Sequence, residues 1–478
     1  MTPSVHRRRP VLFVIAAAAF AGAIFLGWRS IDRHAVAAES IPARPALRGW
    51  PAELGDKIAV AEKTATGYRR PSTGLAALGR LYHANGFYDE AIQCYAGLQR
   101  LEPHAARWPH FQAGIFAEFG RLDEALPLQR RAVALEAGYL PARLRLGDVL
   151  LKSNQTTEAT RVYSDVLSRE AGNPYALLGL AKCALALGDW TKAREHLEQA
   201  IKLHPEFVGA LSLAVTVSEH FGDAARATAL KTAMGKREFN DLTDPWMESL
   251  ADDCYDPYRL SVAAALAKFA GDPKAARRRL ERAIELAPAA GSYRRQLAKL
   301  LLQTRDYAPA RQQLEKAVAL EPADADAWVL LIEALTVTGD SGAAQRAITQ
   351  GLASCPQSAA LHQVSGEKFA AVGRHAEAIA AFKAARRLRP SEAGAYIDLA
   401  LVYLQLDRID EAVTELKGAL AVQPGHPLAL GVLARHAIDT NDQAAAREWI
   451  RQLRLSRVSR DDLNAILAQF QQHFGHAP

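Results

Sequence analysis

The stretch STGLAALGRLYHANGFYDEAIQCYAGLQRLEPHA, residues 72–105, decides the fold, because its landmarks return at a fixed step down the chain. With Ser72 as position 1, Leu75, Leu78, Gly79 and Tyr82 hold positions 4, 7, 8 and 11, the spacing of one face of an amphipathic helix. Gly86 stands at position 15, Ala91 at 20, Tyr95 at 24 and Pro103 at 32. A step of 34 residues carries the pattern to units beginning at 106, 140, 174 and 208 and, after a 15-residue offset, at 257, 291, 325, 359, 393 and 427. Position 20 is alanine in all eleven: Ala91, Ala125, Ala159, Ala193, Ala227, Ala276, Ala310, Ala344, Ala378, Ala412 and Ala446. Position 8 is glycine or alanine in nine units, with Val215 and Ile332 as the exceptions, and position 32 is proline in seven.

These residue types form a consistent physical set. Positions 20, 24 and 27, as in Ala193, Leu197 and Ala200, give a second helix its apolar face. Small residues at 8 and 20 let two helix backbones approach closely, while large ones at 7, 11 and 24 fill the space beside the contact. Gly120, Gly188, Gly222, Gly271, Gly339 and Gly373 at position 15 suit a helix end. Proline at position 32 cannot continue the second helix. One such unit is too thin to bury its own apolar face, so stability has to come from stacking on neighbours.

The pattern resembles the tetratricopeptide repeat, over residues 72–460. The resemblance implies an all-α fold, a right-handed α-solenoid of about eleven 34-residue helix-turn-helix units. Units 1–5 would occupy 72–241 and units 6–11 would occupy 257–460, with an insert at 242–256. After the last unit, Asp461 is expected to cap a helix striped by Leu463, Ile466, Leu467 and Phe470, a capping element and tail over 461–478.

Ahead of the array, Val11–Trp28 is an 18-residue stretch without a charge, behind Arg7, Arg8 and Arg9 in a basic segment over 1–10. At about 1.5 Å per residue it would reach roughly 27 Å, close to the thickness of a bilayer core. The small-residue candidate Ala35-Val36-Ala37 lies beyond Arg29, Asp32 and Arg33, which favours an uncleaved transmembrane signal-anchor over 11–28, with a cleaved signal peptide as the alternative. Residues 29–71 carry Pro42, Pro45, Pro51 and Pro71 and read as a tether with one helix from Ala52 to Ala65. The arginines ahead of the span predict a single-pass inner-membrane protein with its array on the extracytoplasmic, periplasmic side.

The net charge of +6 and pI near 9.1 sit in the same segment. Residues 1–71 hold eleven basic and five acidic side chains, and the remaining 407 residues are neutral overall. The basic pI therefore gives no support to nucleic-acid binding, which would need a continuous basic stripe with stacking aromatics. Four cysteines in 478 residues exclude a disulfide scaffold. The sequence holds no phosphate-binding glycine loop, no metal-ligand spacing and no nucleophile elbow. No catalytic residue, cofactor, metal or small-molecule substrate is expected.

What remains is binding. In the family that the repeats resemble, first helices line a concave groove, and positions 5 and 9 commonly meet a protein or peptide partner. Carried over, those positions place Arg80, His110, Asp148, Lys182, Arg295, Lys299, Glu333 and Glu367 in the groove. Lys268 joins Arg295 and Lys299 as a basic patch suited to an acidic segment. The lysine and asparagine pattern with which chaperone-binding members grip a terminal carboxylate is not reproduced here.

The insert holds Asp244, Trp246, Glu248, Asp252, Asp253 and Asp256. Its acids could hold a cation or a basic partner with Trp246 as an exposed anchor. Alternatively, Trp246 and Met247 plug the gap left in unit 5, where Lys231 takes position 24. The expected function is a membrane-anchored scaffold for an envelope assembly. The alternatives are a non-catalytic specificity subunit of a glycan-modifying or redox envelope enzyme, and a cytoplasm-facing adaptor.

Overall fold

The computed structural model describes residues 31–235, 242–456 and 458–478, and all regular structure among them is helical. Eleven helix pairs follow one another, from Pro71–Ala84 with Tyr88–Leu101 (repeat 1) to Pro427–Asp439 with Gln443–Leu455 (repeat 11). Within each repeat the two helices pack on one another, and each repeat packs on the next within its unit, except that repeat 6 follows repeat 5 across the insert, whose Ser249–Asp253 turn packs on the first helices of repeats 1 and 6. The eleven position-20 alanines are all buried, as the close approach of two helix backbones requires. The chain divides into two compact units, one ending at Ala287 and holding repeats 1–6, the other Pro288–Pro478 with repeats 7–11.

Position 15 has a left-handed backbone in every repeat: φ is 71–83° at Gly86, Gly120, Gly188, Gly222, Gly271, Gly339 and Gly373, and 56–61° at Asn154, Arg305, Asp407 and Asn441. That conformation reverses the chain between the two helices and costs least at glycine. The aspartate after it caps the second helix in five repeats. Asp189, Asp223, Asp272, Asp340 and Asp442 accept from backbone N–H groups at 2.9–3.0 Å.

Four sequence expectations are corrected. The signal-anchor over 11–28 lies outside the described residues. Among the described residues, no helix is long and apolar enough to cross a membrane. The longest, Arg460–Phe474, has 15 residues, about 22 Å at 1.5 Å per residue against a core of about 30 Å. The expected location, single-pass in an inner membrane with the array outside, is overturned on that ground.

The tether, where it is described, is packed. A helix over 31–39 and the helix Ala52–Ala65 lie against repeat 1, with Ala37, Leu54, Ile58 and Ala65 fully buried. Arg33 bonds Ser72 Oγ at 3.3 Å, Trp50 meets Phe87 at 5.2 Å, and Glu39 pairs with Arg100 at 3.2 Å. The first repeat of a stack has no preceding neighbour, so its apolar face needs a cover. Residues 31–65 supply it.

The insert does not plug repeat 5. The helix Ala224–Met234 ends at Gly235, and Lys231 at position 24 pairs outward with Glu219 at 2.7 Å. Residues 242–256 instead run back to repeats 1–3 as a short helix, Pro245–Glu248, and a 3₁₀ turn, Ser249–Asp253. At the far end, Ser459 rather than Asp461 caps the last helix, its hydroxyl accepting from Asp462 N–H at 3.1 Å. Ile466 and Phe470 of that helix are buried against repeat 11.

Candidate partner-binding site

In the N-terminal unit, the groove positions named in repeats 1 and 2 are engaged by the chain's own insert. Arg80, in the first helix of repeat 1, donates to Asp253 Oδ2 at 2.7 Å and to the hydroxyl and carbonyl of Ser249 at 2.9 and 2.8 Å. Asn85 closes the same helix and reads the insert's backbone, donating to Asp253 O at 2.9 Å and accepting from Tyr255 N–H at 2.6 Å. One amide side chain thus satisfies both a donor and an acceptor of the insert.

His110, in the first helix of repeat 2, is 2% exposed, and so is its partner Asp244. Gln129 donates to Ala142 O at 2.7 Å and to His110 Nδ1 at 3.1 Å. His110 Nε2 therefore carries the ring proton and donates to Asp244 Oδ2 at 2.8 Å. Tyr139 OH donates to the other carboxylate oxygen at 2.6 Å, and Met247 N–H caps it at 3.3 Å. Burial pushes the Asp244 carboxyl up, but these donors outweigh it and hold the group below the ordinary carboxylate range. The Trp246 ring stacks on Tyr139 with centroids 3.7 Å apart, and the Trp246 backbone N–H donates to the Tyr139 hydroxyl at 3.0 Å. Trp246 is half-buried on repeats 2 and 3, not an exposed anchor.

The docked insert also ties the unit's first helices to its last. Tyr255 OH donates to Glu53 at 3.1 Å, and Arg282 in repeat 6 pairs with the same carboxylate at 2.5 Å. A cavity of about 300 Å³ stays open between the insert and the repeats, lined among others by His83, Tyr88, Tyr175, Met247, Leu250 and Arg259. Burial, with the charge of Arg259 next, pushes His83 down to about 3 and keeps its ring neutral.

The other three candidates of this unit differ. Asp148 accepts from Tyr163 OH at 2.7 Å and so locks its own repeat, while Lys182 is exposed. Lys268 stands 5.0 Å above the Phe269 ring. In the C-terminal unit Arg295 is held by Asp324 at 2.6 Å, which subtracts it from the basic patch. Lys299, Glu333, Glu367 and Arg435 are exposed on the first helices of repeats 7, 8, 9 and 11. Between them, burial and then the charge of Glu367 raise Asp398 to about 6, and Gln363 donates to its carboxylate.

Sequence reasoning missed Asn85, Gln129, Tyr139 and Tyr255. The readable signal was charge complementarity: Arg80 and His110 stand at groove positions, and the insert carries five acidic residues between Asp244 and Asp256.

Sequence profiles described as Tetratricopeptide repeat match residues 76–139, 150–214, 257–282, 302–366, 369–420 and 397–459. The chain is 26% identical over 247 residues to Protein O-mannosyl-transferase TMTC1 of Homo sapiens, covering 47% of this chain and 24% of that protein. It is 25% identical over 188 residues to Cellulose synthase 1 operon protein C of Komagataeibacter xylinus, covering 36% and 14%. The chain thus spans a quarter or less of the length of these relatives. Among solved structures, the yeast Tom70 is similar with a TM-score of 0.37 and 14% identity, over 84% of this chain and 96% of that one. YrrB, described as a TPR protein with an unusual peptide-binding site, gives a TM-score of 0.31 and 21% identity, over 37% and 90%.

Proposed function

The chain belongs to the tetratricopeptide-repeat family, and from that premise we propose that it is a non-catalytic scaffold holding a protein partner along the first helices of repeats 7–11. One observation carries this reading. The groove positions of repeats 1 and 2 are spent on the chain's own insert, whereas Lys299, Glu333, Glu367 and Arg435 remain exposed at equivalent positions of the C-terminal unit. The first helices of repeats 7–10 pack on one another in order, and Lys299, Glu333, Glu367 and Arg435 all stand at position 9 of their units. The face alternates in sign, with Lys299, then Glu333, Glu367 and Asp398, then Arg435. A partner with a complementary run of charges gains specificity and association rate from such a surface.

Crosslinking mass spectrometry with the full chain in a cell extract tests the reading. We expect partner crosslinks concentrated on the first helices within residues 291–439. The triple variant Lys299→Glu, Glu333→Lys, Glu367→Lys should recover at least tenfold less of the crosslinked partner. Crosslinks confined to second helices, or unchanged recovery by the triple variant, would remove the surface from consideration.

A further inference from the structure

We propose that residues 242–256 are a displaceable internal ligand, and that the groove of repeats 1–3 takes from a partner an acidic segment with an aspartate two residues ahead of an aromatic ring. This surface is separate from the one proposed on repeats 7–11 and does not depend on it.

The insert is held as a bound peptide is held. Three donors converge on the Asp244 carboxylate, and the Trp246 ring lies flat on Tyr139 two residues further along. Arg80 takes the Asp253 carboxylate and a backbone carbonyl, and Asn85 pairs with backbone groups on either side of Cys254. The groove side offers His110, Tyr139, Arg80 and Asn85, a set that favours a negative ligand with one flat ring and also reads main chain irrespective of sequence. The Asp-Pro-Trp order of residues 244–246 matches that set.

Two features make the insert displaceable. It has no long helix of its own, only a four-residue helix and a five-residue 3₁₀ turn, so removing it breaks side-chain contacts without unfolding a repeat. It also fits incompletely, since the cavity of about 300 Å³ stays beneath Met247 and Leu250. A tethered ligand competes at an effective concentration on the order of millimolar. A partner that keeps the Asp and aromatic contacts and also fills the cavity has additional apolar burial with which to overcome that advantage.

The probe is a fluorescein-labelled peptide of residues 242–256, titrated against the full chain. In the variant Asp244→Asn, Trp246→Ala, the weakened insert should leave the groove open and bind the peptide at least tenfold more tightly than the wild type does. Adding Tyr139→Ala and Arg80→Ala on the groove side should abolish that binding, and a scrambled peptide should not bind. Equal binding by wild type and variant, binding that survives the groove substitutions, or binding of the scrambled peptide would each overturn the proposal.

Hydrogen exchange on the wild type decides the matter even where a variant misfolds. Backbone amides of residues 246–255 should exchange at least tenfold faster than those of the helices Pro71–Ala84 and Arg107–Glu118. Exchange of the insert only at the rate of those helices would show a fixed structural strut and sink the idea.

Discussion

Tyr163 shows how one side chain sets the identity of its neighbours. It fills position 24 of repeat 3 and is fully buried, with its ring between Gly147 in its own repeat and Gly179 in the next. A Cβ built on Gly147 would stand 2.6 Å from the ring, and one on Gly179 would stand 2.4 Å away on the other side. The ring cannot retreat from either. Gly147→Ala gains about 1 kcal/mol in helix propensity, but the overlap with a pinned aromatic costs about 1–3 kcal/mol. We expect a net loss, read as a lower midpoint in urea, and a raised midpoint would contradict this packing. The same pairing recurs where Phe382 lies 2.6 Å from the Cβ position of Gly366. Small residues at position 8 were legible as a sequence pattern. The particular ring that enforces them was legible only once the period had been aligned, because the partner is sixteen positions away.

At the scale of helices, the turn at position 15 is the most regular element of the fold. Ten of its eleven occupants are glycine, asparagine or aspartate, the residues that tolerate a left-handed backbone, and Arg305 at φ 61° is the exception. Arg305→Gly removes the Cβ strain of about 1–2 kcal/mol and gives back some of it as unfolded-chain entropy. The expected outcome is a gain of about 0.5–1 kcal/mol in urea unfolding of the C-terminal unit, and a loss would mean that Arg305 makes a compensating contact. The segment ahead of the array teaches the converse lesson. Its helix from Ala52 to Ala65 was readable from the amphipathic pattern. That residues 31–65 cover repeat 1 was not readable, since prolines and scattered charges describe an exposed tether equally well.

For the whole molecule, the consequence of repeat architecture is that each part answers to its neighbours. The terminal helix Arg460–Phe474 covers repeat 11, and Phe470 is fully buried in that contact. Phe470→Ala should cost about 3–5 kcal/mol locally and raise hydrogen exchange in repeats 10 and 11, while the exchange of residues 31–287 stays unchanged. A uniform rise over both units would mean that the stack unfolds as one body.

The sequence by itself determined that this chain is built of eleven helix pairs, where each pair begins and turns, and which residues lie between the helices. Those features repeat every 34 residues, and a local period is written in local residues. The tertiary structure alone decided where the insert goes and what that does to the groove. Asp244 meets His110 across 134 positions and Asp253 meets Arg80 across 173. Such a meeting depends on how far five stacked repeats bend before the insert leaves them, a sum of small rotations that no single unit specifies. It turned Arg80 and His110 from waiting groove residues into residues already bound.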